Sequence, residues 1–256
     1  MRLTVLASGS TGNGYVLEGR RSALLLECGV APEGMMRATT VATSKLAGAL
    51  VTHEHGDHAR YMGRYANMGL PIYASAGTFE NGPRLGPYAT RRVVRAMQTF
   101  RVEEFVVRAF DTRHDAAEPL GWIIEHEELG RMLFLTDTEM CPYDFKAQRI
   151  RHMLIEANYD DGILDGNVAN GEVEAERAAR TRRTHMSLRA ACDLIRADQT
   201  AELQTVMLIH LSAQNADRTL FRRRAEAAAL FADVRVAEPG LEVDLSRNDF
   251  KVIYNV

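Results

Sequence analysis

The chain has 256 residues, of which 46% are hydrophobic, and its formal net charge is −3. A chain of this length and composition can bury one large core, so we expect a single domain over residues 1–256. The slight excess of acid argues against a protein coated in positive charge. Three widely spaced cysteines, Cys28, Cys141 and Cys192, indicate reduced thiols rather than a disulfide framework. The N-terminus lacks the regions of a signal peptide and no stretch reaches membrane-spanning length, which predicts a cytoplasmic protein without a membrane partner.

Short strands joined by turns open the predicted fold, over residues 3–7, 15–18 and 23–27. The first turn, residues 9–14, is rich in glycine, hydroxyl and amide groups, and such a turn can present backbone N–H groups to an anion. Ser10 and Asn13 in this turn are therefore candidates for substrate contact. A helix is predicted next, over residues 32–43.

A strand over residues 46–51 runs directly into Thr52-His53-Glu54-His55-Gly56-Asp57-His58, and helical spacing follows over residues 59–68. If the chain stays extended through His53 and His55, both imidazoles project to one side, while Asp57 and His58 enter the helix facing back toward them. Imidazole and carboxylate are ligands that zinc and similar divalent metals prefer. We therefore predict a site for two neighbouring metal ions here, with Asp57 also serving as the N-cap of the helix.

Further metal-ligand candidates follow the next strands. A strand over 71–75 and a short helix over 91–97 lead to strands over 103–110 and 120–126, and the loop between those two strands contains His114. The strand over 131–136 ends at Asp137, which places a carboxylate at a strand tip where sites in such sheets gather.

The last third of the chain adds a second group of candidates. After a strand over 153–157, a polar and partly helical segment over 161–183 ends in an arginine-rich stretch that includes Arg182 and Arg183. His185 follows, and Ser187 is the predicted N-cap of a helix over 188–196. A strand over 205–209 then ends at His210. A helix over 219–231 and strands over 234–237 and 241–245 close the predicted fold.

Seven residues at the ends of these elements form two predicted ligand sets. One ion would take His53, His55 and His114, the other Asp57, His58 and His210, and Asp137 would be shared between the two ions. Zinc suits these nitrogen and oxygen ligands, and manganese would accept the same set. His126 and His152 are assigned no role, and we expect them to be structural or surface residues.

With its ligands in this order, the sequence resembles the metallo-β-lactamase superfamily. The motifs Leu6-Ala-Ser-Gly-Ser-Thr-Gly-Asn13, Leu154-Ile-Glu-Ala-Asn-Tyr-Asp160 and His210-Leu-Ser212 look most like its YycJ/WalJ branch, which is nuclease-like and acts on DNA 5′ ends, and tRNase Z and RNase J are also similar. The resemblance implies a four-layer αββα sandwich with the metals at one edge of the two sheets. In one departure, Glu27-Cys28-Gly29 stands where the family usually has Asp-x-Gly.

These residues favour a metal-dependent phosphodiesterase, and the resemblance implies a 5′-to-3′ DNA exonuclease. A water activated by the two metals, held near Asp57 and Asp137, would attack the phosphodiester, and His185 would protonate or orient the departing oxygen. The alternative for His185 is a surface histidine that precedes a helix. The candidate substrate contacts are Ser10, Asn13, Ser187, Arg182 and Arg183.

Two other classes of protein remain open. A hydrolase of a thioester, lactone or β-lactam would use the same metal ligands, but it would need neither His185 nor the arginines. A non-enzymatic metal-binding or DNA-binding protein is disfavoured, because it would leave seven ligands without chemistry.

Overall fold

The computed structural model describes residues 1–246, which form fourteen strands and eight α-helices. The strands are β1 (Arg2–Ala7), β2 (Gly14–Glu18), β3 (Ala23–Leu26), β4 (Leu46–Leu50), β5 (Ile72–Ala74), β6 (Arg91–Val93), β7 (Thr99–Val102), β8 (Phe105–Asp111), β9 (Leu120–His126), β10 (Gly130–Leu135), β11 (His152–Glu156), β12 (Thr205–Ile209), β13 (Asp233–Val236) and β14 (Glu242–Asp244). The helices are α1 (Pro32–Ala38), α2 (Gly56–Ala59), α3 (Met62–Asn67), α4 (Ala76–Asn81), α5 (Asp161–Ala169), α6 (Ala175–Thr184), α7 (Leu188–Asp198) and α8 (Arg218–Ala229).

The strands form two seven-stranded mixed sheets. One is ordered β14-β1-β2-β3-β4-β5-β6 and the other β13-β12-β11-β10-β9-β8-β7. Strands β3 to β6 pair in parallel in the first sheet, as do β10 to β13 in the second. Parallel strands have their carboxyl ends at the same edge of a sheet, which is where the binding sites of α/β folds usually lie. The residues that follow β3, β4, β10, β11 and β12 are therefore placed at such edges.

The sequence builds this sandwich because its central strands are apolar on both faces. The inner faces of the two sheets share one core, which includes Trp122 from β9 and Phe134 from β10. Helices α7 and α8 cover the outer face of the second sheet, and α1 and α3 cover that of the first. Each large apolar side chain buried in this way contributes about 1.5–3 kcal/mol. The αββα layering predicted for the fold is confirmed.

Most predicted elements are present, with β9 and β12 at the expected residues. The helix predicted over 91–97 is wrong, because residues 91–93 form a strand in parallel register with β5 and the β-branched pair Val93-Val94 favours that conformation. Strand β7 and helix α4 were not predicted. Within residues 1–246, no helix combines the length and the apolar character needed to cross a membrane.

Candidate metal centre

The predicted metal ligands meet where several strands end. Glu27 follows β3, Asp137 lies two residues after β10 and His210 follows β12, and all three have left-handed backbone conformations, with φ values of 66°, 45° and 53°. Side chains other than glycine rarely adopt this region, and such conformations persist where the surrounding structure enforces them. Three of them at one cluster indicate a site whose side-chain directions are set by the fold.

The first cluster contains His53, His55 and His114. The Nδ1 atom of His55 lies 3.1 Å from Nε2 of His114, and the ring centroids of His53 and His55 are 4.7 Å apart. Two nitrogens bound tetrahedrally to one zinc ion at about 2.0–2.1 Å would lie about 3.3 Å apart. The extended backbone through His53 and His55 therefore places both rings on one side, as predicted, and His114 joins them from the β8–β9 loop.

The second cluster contains Asp57, His58 and His210. Oδ2 of Asp57 lies 3.3 Å from Nε2 of His58 and 3.2 Å from Nε2 of His210. His58 and His210 are buried, and Asp57 is partly exposed. These atoms lie close enough to one another to hold a single cation.

Asp137 lies between the two clusters. Its Oδ1 atom is 3.4 Å from Nε2 of His58 and 3.1 Å from Nδ1 of His210, on the side of the second cluster. Its Oδ2 atom is 3.6 Å from Nε2 of His114 and 3.9 Å from Nε2 of His53, on the side of the first. Each carboxylate oxygen therefore faces a different set of ligands, which is the arrangement that a bridging carboxylate requires.

The donor set fits two divalent metals. His53 Nε2 is buried and has no hydrogen-bond partner within residues 1–246, although its Nδ1 atom lies 3.0 Å from the hydroxyl of Thr52. A buried polar nitrogen without a partner is costly, and a metal ion would satisfy it. In addition, Nδ1 of His114 donates to the carbonyl of Thr184 at 2.7 Å, so that Nε2 is the nitrogen that faces the cluster.

Burial and neighbouring charges shift the pKa values of the carboxylates and histidines of the site. Burial opposes the ionisation of Asp137, but the neighbouring His210 and His58 hold the pKa of its carboxyl well below the usual value. Burial also opposes the charged form of the two histidines, yet the surrounding carboxylates outweigh it, raising the pKa of His58 and raising the pKa of His210 to about 10. In contrast, burial lowers the pKa of His53 well below its usual value. Metal binding would therefore have to displace protons from the second cluster.

Glu27, which stands where the family usually has an aspartate, lies behind the ring of His58. Its side chain is fully buried, and Oε2 lies 3.5 Å from Nδ1 of His58, the nitrogen that faces away from Asp57. The Thr52 N–H lies 3.3 Å from the other oxygen. The carboxylate can thus orient the His58 ring from behind.

Glu156 is the residue of the site that sequence reasoning missed. It is fully buried at the end of β11, and Oε1 lies 2.7 Å from Nδ1 of His185 and 3.1 Å from Nδ1 of His210. Its Oε2 accepts from the backbone N–H groups of Thr138 and Met186. The signal was available, because Glu156 is a carboxylate at a strand tip in the same manner as Asp137.

The glycine-rich turn contacts the second cluster from one side. Asn13 is buried, its Oδ1 accepts from the Gly9 N–H at 2.9 Å, and its Nδ2 lies 3.3 Å from Oδ2 of Asp57. It therefore holds the turn against a predicted ligand, while direct contact with substrate stays a prediction. Ser10 is exposed in the same turn. Asp57 is not the N-cap of α2, as had been predicted; His55 occupies that position, and the Asp57 carboxylate is turned to the cluster instead.

The remaining predicted substrate contacts surround His185. Ser187 is the N-cap of α7, since its hydroxyl accepts from the Ala190 N–H at 3.1 Å. Arg182 donates to Asp165 at 2.5 Å, so its charge is partly compensated. Arg183 is exposed and forms no ion pair with any residue in 1–246. Their roles in substrate binding stay predictions.

A group of possible ligands outside this site, Glu104, His126 and Glu128, lies at the far end of β9. Nδ1 of His126 accepts from the Glu128 N–H at 3.0 Å, and Nε2 lies 3.2 Å from Oε1 of Glu104. Because both ring nitrogens are already used, this group is a structural hydrogen-bonded set, as expected for a histidine without a metal role.

Comparison with known proteins supports this reading of the fold. A family model described as the β-lactamase superfamily domain matches residues 24–211. Exodeoxyribonuclease YycJ of Bacillus anthracis is 30% identical over 241 residues, which cover 87% of this chain and 86% of that protein. Exodeoxyribonuclease WalJ of Streptococcus pneumoniae is 30% identical over 175 residues, 64% of each chain. The metallo-β-lactamase fold protein YhfI of Bacillus subtilis superposes with a TM-score of 0.72 at 18% identity, over 94% of this chain and 98% of that one. The chain therefore belongs to the metallo-β-lactamase superfamily, with the nucleases YycJ and WalJ among its relatives.

Proposed function

We propose that this protein is a dinuclear metal-dependent phosphodiesterase that degrades DNA as a 5′-to-3′ exodeoxyribonuclease. The observation that carries the proposal is the position of Asp137, whose two oxygens face two separate sets of nitrogen and oxygen ligands. Two divalent ions held there, zinc or manganese, would activate a water and stabilise negative charge on the phosphate oxygens. The names of the two exodeoxyribonuclease relatives favour DNA over a small ester as substrate.

His185 is proposed to protonate the departing oxygen. Its ring lies between those of His114 and His210, at centroid distances of 5.2 Å and 5.4 Å, and its side chain retains 16% exposure. Burial opposes the protonated form, but the adjacent Glu156 carboxylate outweighs burial and raises the pKa of His185. Because Nδ1 is held by Glu156 at 2.7 Å, Nε2 is the nitrogen left to meet substrate.

The substrate contacts are proposed to come from both sides of this histidine. The exposed Ser10 would approach from the glycine-rich turn, while Ser187 and Arg183 would approach from the segment around His185. Arg182 would first have to exchange Asp165 for a phosphate, so we expect it to contribute less than Arg183.

A panel of four substrates tests this proposal. Protein loaded with zinc or manganese is assayed on DNA labelled at either end, on RNA of the same sequence, on a bis-ester phosphate dye and on a thioester. We expect cleavage of DNA from the 5′ end and slower cleavage of the dye. His185→Ala should slow substrates with a poor leaving group more than those with a good one. Brisk cleavage of the thioester without cleavage of any phosphodiester would replace the proposal by the small-molecule hydrolase.

A further inference from the structure

One side of the sandwich carries a concentration of positive charge that the metal centre does not use. Residues 81–102 contain five arginines and no acidic residue, although the whole chain has a net charge of −3. All five side chains are exposed. We call this region the arginine edge, and its members are Arg84, Arg91, Arg92, Arg95 and Arg101.

The arginine edge lies where both sheets end. Among the strands of residues 1–246, β6 pairs only with β5 and β7 pairs only with β8, so each is the outermost strand of its sheet on the same side. The gap between the sheets is closed there by Tyr73 of β5 and Phe100 of β7, whose rings stack at 5.2 Å. The arginines are thus presented along a continuous open side of the molecule.

The charges of the arginine edge are not compensated within the described part of the chain. None of the five guanidinium groups pairs with a carboxylate in residues 1–246, and Arg91 donates to the backbone carbonyl of Leu85 instead. Near the metal centre, by contrast, Arg180 pairs with Asp115 at 2.7 Å and Arg182 with Asp165 at 2.5 Å. Guanidinium groups without a carboxylate partner can bind phosphates through two parallel hydrogen bonds.

An exposed aromatic ring accompanies these charges. Tyr88 is 98% exposed, in the loop between Arg84 and Arg91. Arginine on an edge strand can also serve only to prevent pairing with another sheet. That explanation requires neither an exposed aromatic ring nor arginines outside the strands, and Arg84 and Arg95 lie in loops. Positive charge with an exposed ring is typical of surfaces that bind single-stranded nucleic acid.

The arginine edge begins beside the metal centre. A Cβ atom placed on Gly82 would lie 3.4 Å from Cβ of Glu54, which stands between the ligands His53 and His55. Farther along, the Met97 N–H donates to the carbonyl of Ala109 at 2.9 Å, on the strand that leads to His114. A nucleic-acid strand bound on this surface can therefore continue into the metal centre.

We propose that the arginine edge binds the phosphate backbone of a single-stranded nucleic acid whose end lies at the metal centre, with Tyr88 stacked on a base. The proposal rests on the proposed nuclease function and names a surface for its substrate that is separate from the catalytic residues. It predicts that binding energy and cleavage chemistry can be altered independently.

The test measures binding of a fluorescent, hydrolysis-resistant phosphorothioate oligonucleotide to metal-loaded protein as a function of salt. Replacing Arg92 and Arg95 by alanine should reduce the slope of log K against log salt by about 1.4, since each phosphate contact on a single strand contributes about 0.7. Tyr88→Ala should weaken binding about 5- to 150-fold and leave the slope unchanged. All three side chains are exposed, so the variants should retain the melting temperature of the parent protein.

A matched control removes the same charge elsewhere. Arg223 and Arg224 are exposed on α8, which packs beside β13 at the opposite side of the sheets. Replacing both by alanine should leave the slope unaltered. An equal reduction of the slope in this control, or no reduction in the Arg92/Arg95 variant, would overturn the proposal.

Hydrolysis of the phosphate dye separates this proposal from the proposed function. The dye needs only the metal centre, so the arginine-edge variants should hydrolyse it at the parental rate. If the parent protein hydrolyses the dye and the arginine-edge variants bind the oligonucleotide normally, the arginine edge is refuted while the phosphodiesterase stands. If the parent protein hydrolyses neither dye nor DNA, the proposed function fails, and the salt slopes still decide whether the arginine edge binds nucleic acid.

Discussion

Replacement of Gly29 by alanine should remove the second metal ion while preserving the fold. A Cβ atom on Gly29 would lie 1.8 Å from the carbonyl oxygen of Asp57 and 2.6 Å from the backbone nitrogen of Asn13. Real Cβ atoms essentially never approach closer than 3.0 Å, so the Asp57 segment must move by at least about 1.2 Å. Metal sites tolerate changes of about 0.2 Å in ligand distance. The carboxylate of Asp57 would therefore leave the second cluster.

Elemental analysis, dye hydrolysis and thermal unfolding measure this effect together. We expect Gly29→Ala to retain about one metal per chain and to lose about 10- to 100-fold in activity. Overpacking should cost about 1–3 kcal/mol, which lowers the melting temperature by several degrees. Gly56→Ala is the matched control, because it neighbours Asp57 in sequence and its nearest atom, on Arg60, is 3.8 Å away. Two metals and full activity in Gly29→Ala would refute the reasoning.

Three further predictions address the roles of individual groups. Asp137→Ala and His55→Ala should abolish turnover with an unchanged circular dichroism spectrum, whereas His126→Ala should retain turnover; equal losses in all three would mean that folding, not chemistry, was altered. The carboxylates raise the pKa of His210 to about 10 in the metal-free protein, and a histidine ligand must be neutral, so metal binding at neutral pH should release protons and weaken as pH falls. Calorimetry in buffers of different ionisation enthalpy would measure the protons released, and an absence of proton release would contradict the prediction. Burial lowers the pKa of His152 to about 3, so as pH falls the imidazole is protonated in the unfolded chain before it is protonated in the folded one. The free energy of unfolding should therefore fall by about 2 kcal/mol between pH 7 and pH 5. Urea unfolding should show a smaller pH dependence in His152→Phe, and an identical dependence would exclude this histidine as the cause.

The sequence was sufficient to predict the elements and residues whose physics is local. A strand that ends in a polar residue is visible as an apolar run followed by histidine or aspartate, which is how His210 and Asp137 were predicted to be ligands. The spacing of His53 and His55 likewise predicted that their rings would lie on one side. These predictions required only the periodicity of a strand and the chemistry of the ligands.

Features that depend on tertiary contacts were not predicted from the sequence. Residues 91–93 were predicted to be helical. They form a strand because they pair with β5, and this pairing joins segments that are not adjacent in the sequence. Glu156 stands at a strand end, as Asp137 does, but its role was not predicted, because its contacts with His185 and His210 join residues that are distant in the sequence. The ion pair of Arg182 with Asp165 was also unforeseen, although it decides how much positive charge remains for a substrate.

The buried carboxylates of the site require compensating positive charge. Asp137, Glu156 and Glu27 are almost fully buried, and isolated carboxylates in such an environment would be strongly destabilising. The protonated forms of His58 and His210 compensate them in the metal-free state. Divalent ions would take over this compensation, so we expect chelators to lower the melting temperature of the loaded protein.

The number of metal ions per chain tests the central claim most directly, namely that Asp137 lies between two metal sites. Protein is remetallated with zinc or manganese, freed of excess ions by dialysis and measured by elemental analysis against chain concentration. The geometry predicts about two ions per chain. Asp137→Ala should lower this number by more than one, because both sites use that carboxylate. A value near one that remetallation does not raise would contradict the account, since the cluster of Asp57, His58 and His210 would then not be a metal site.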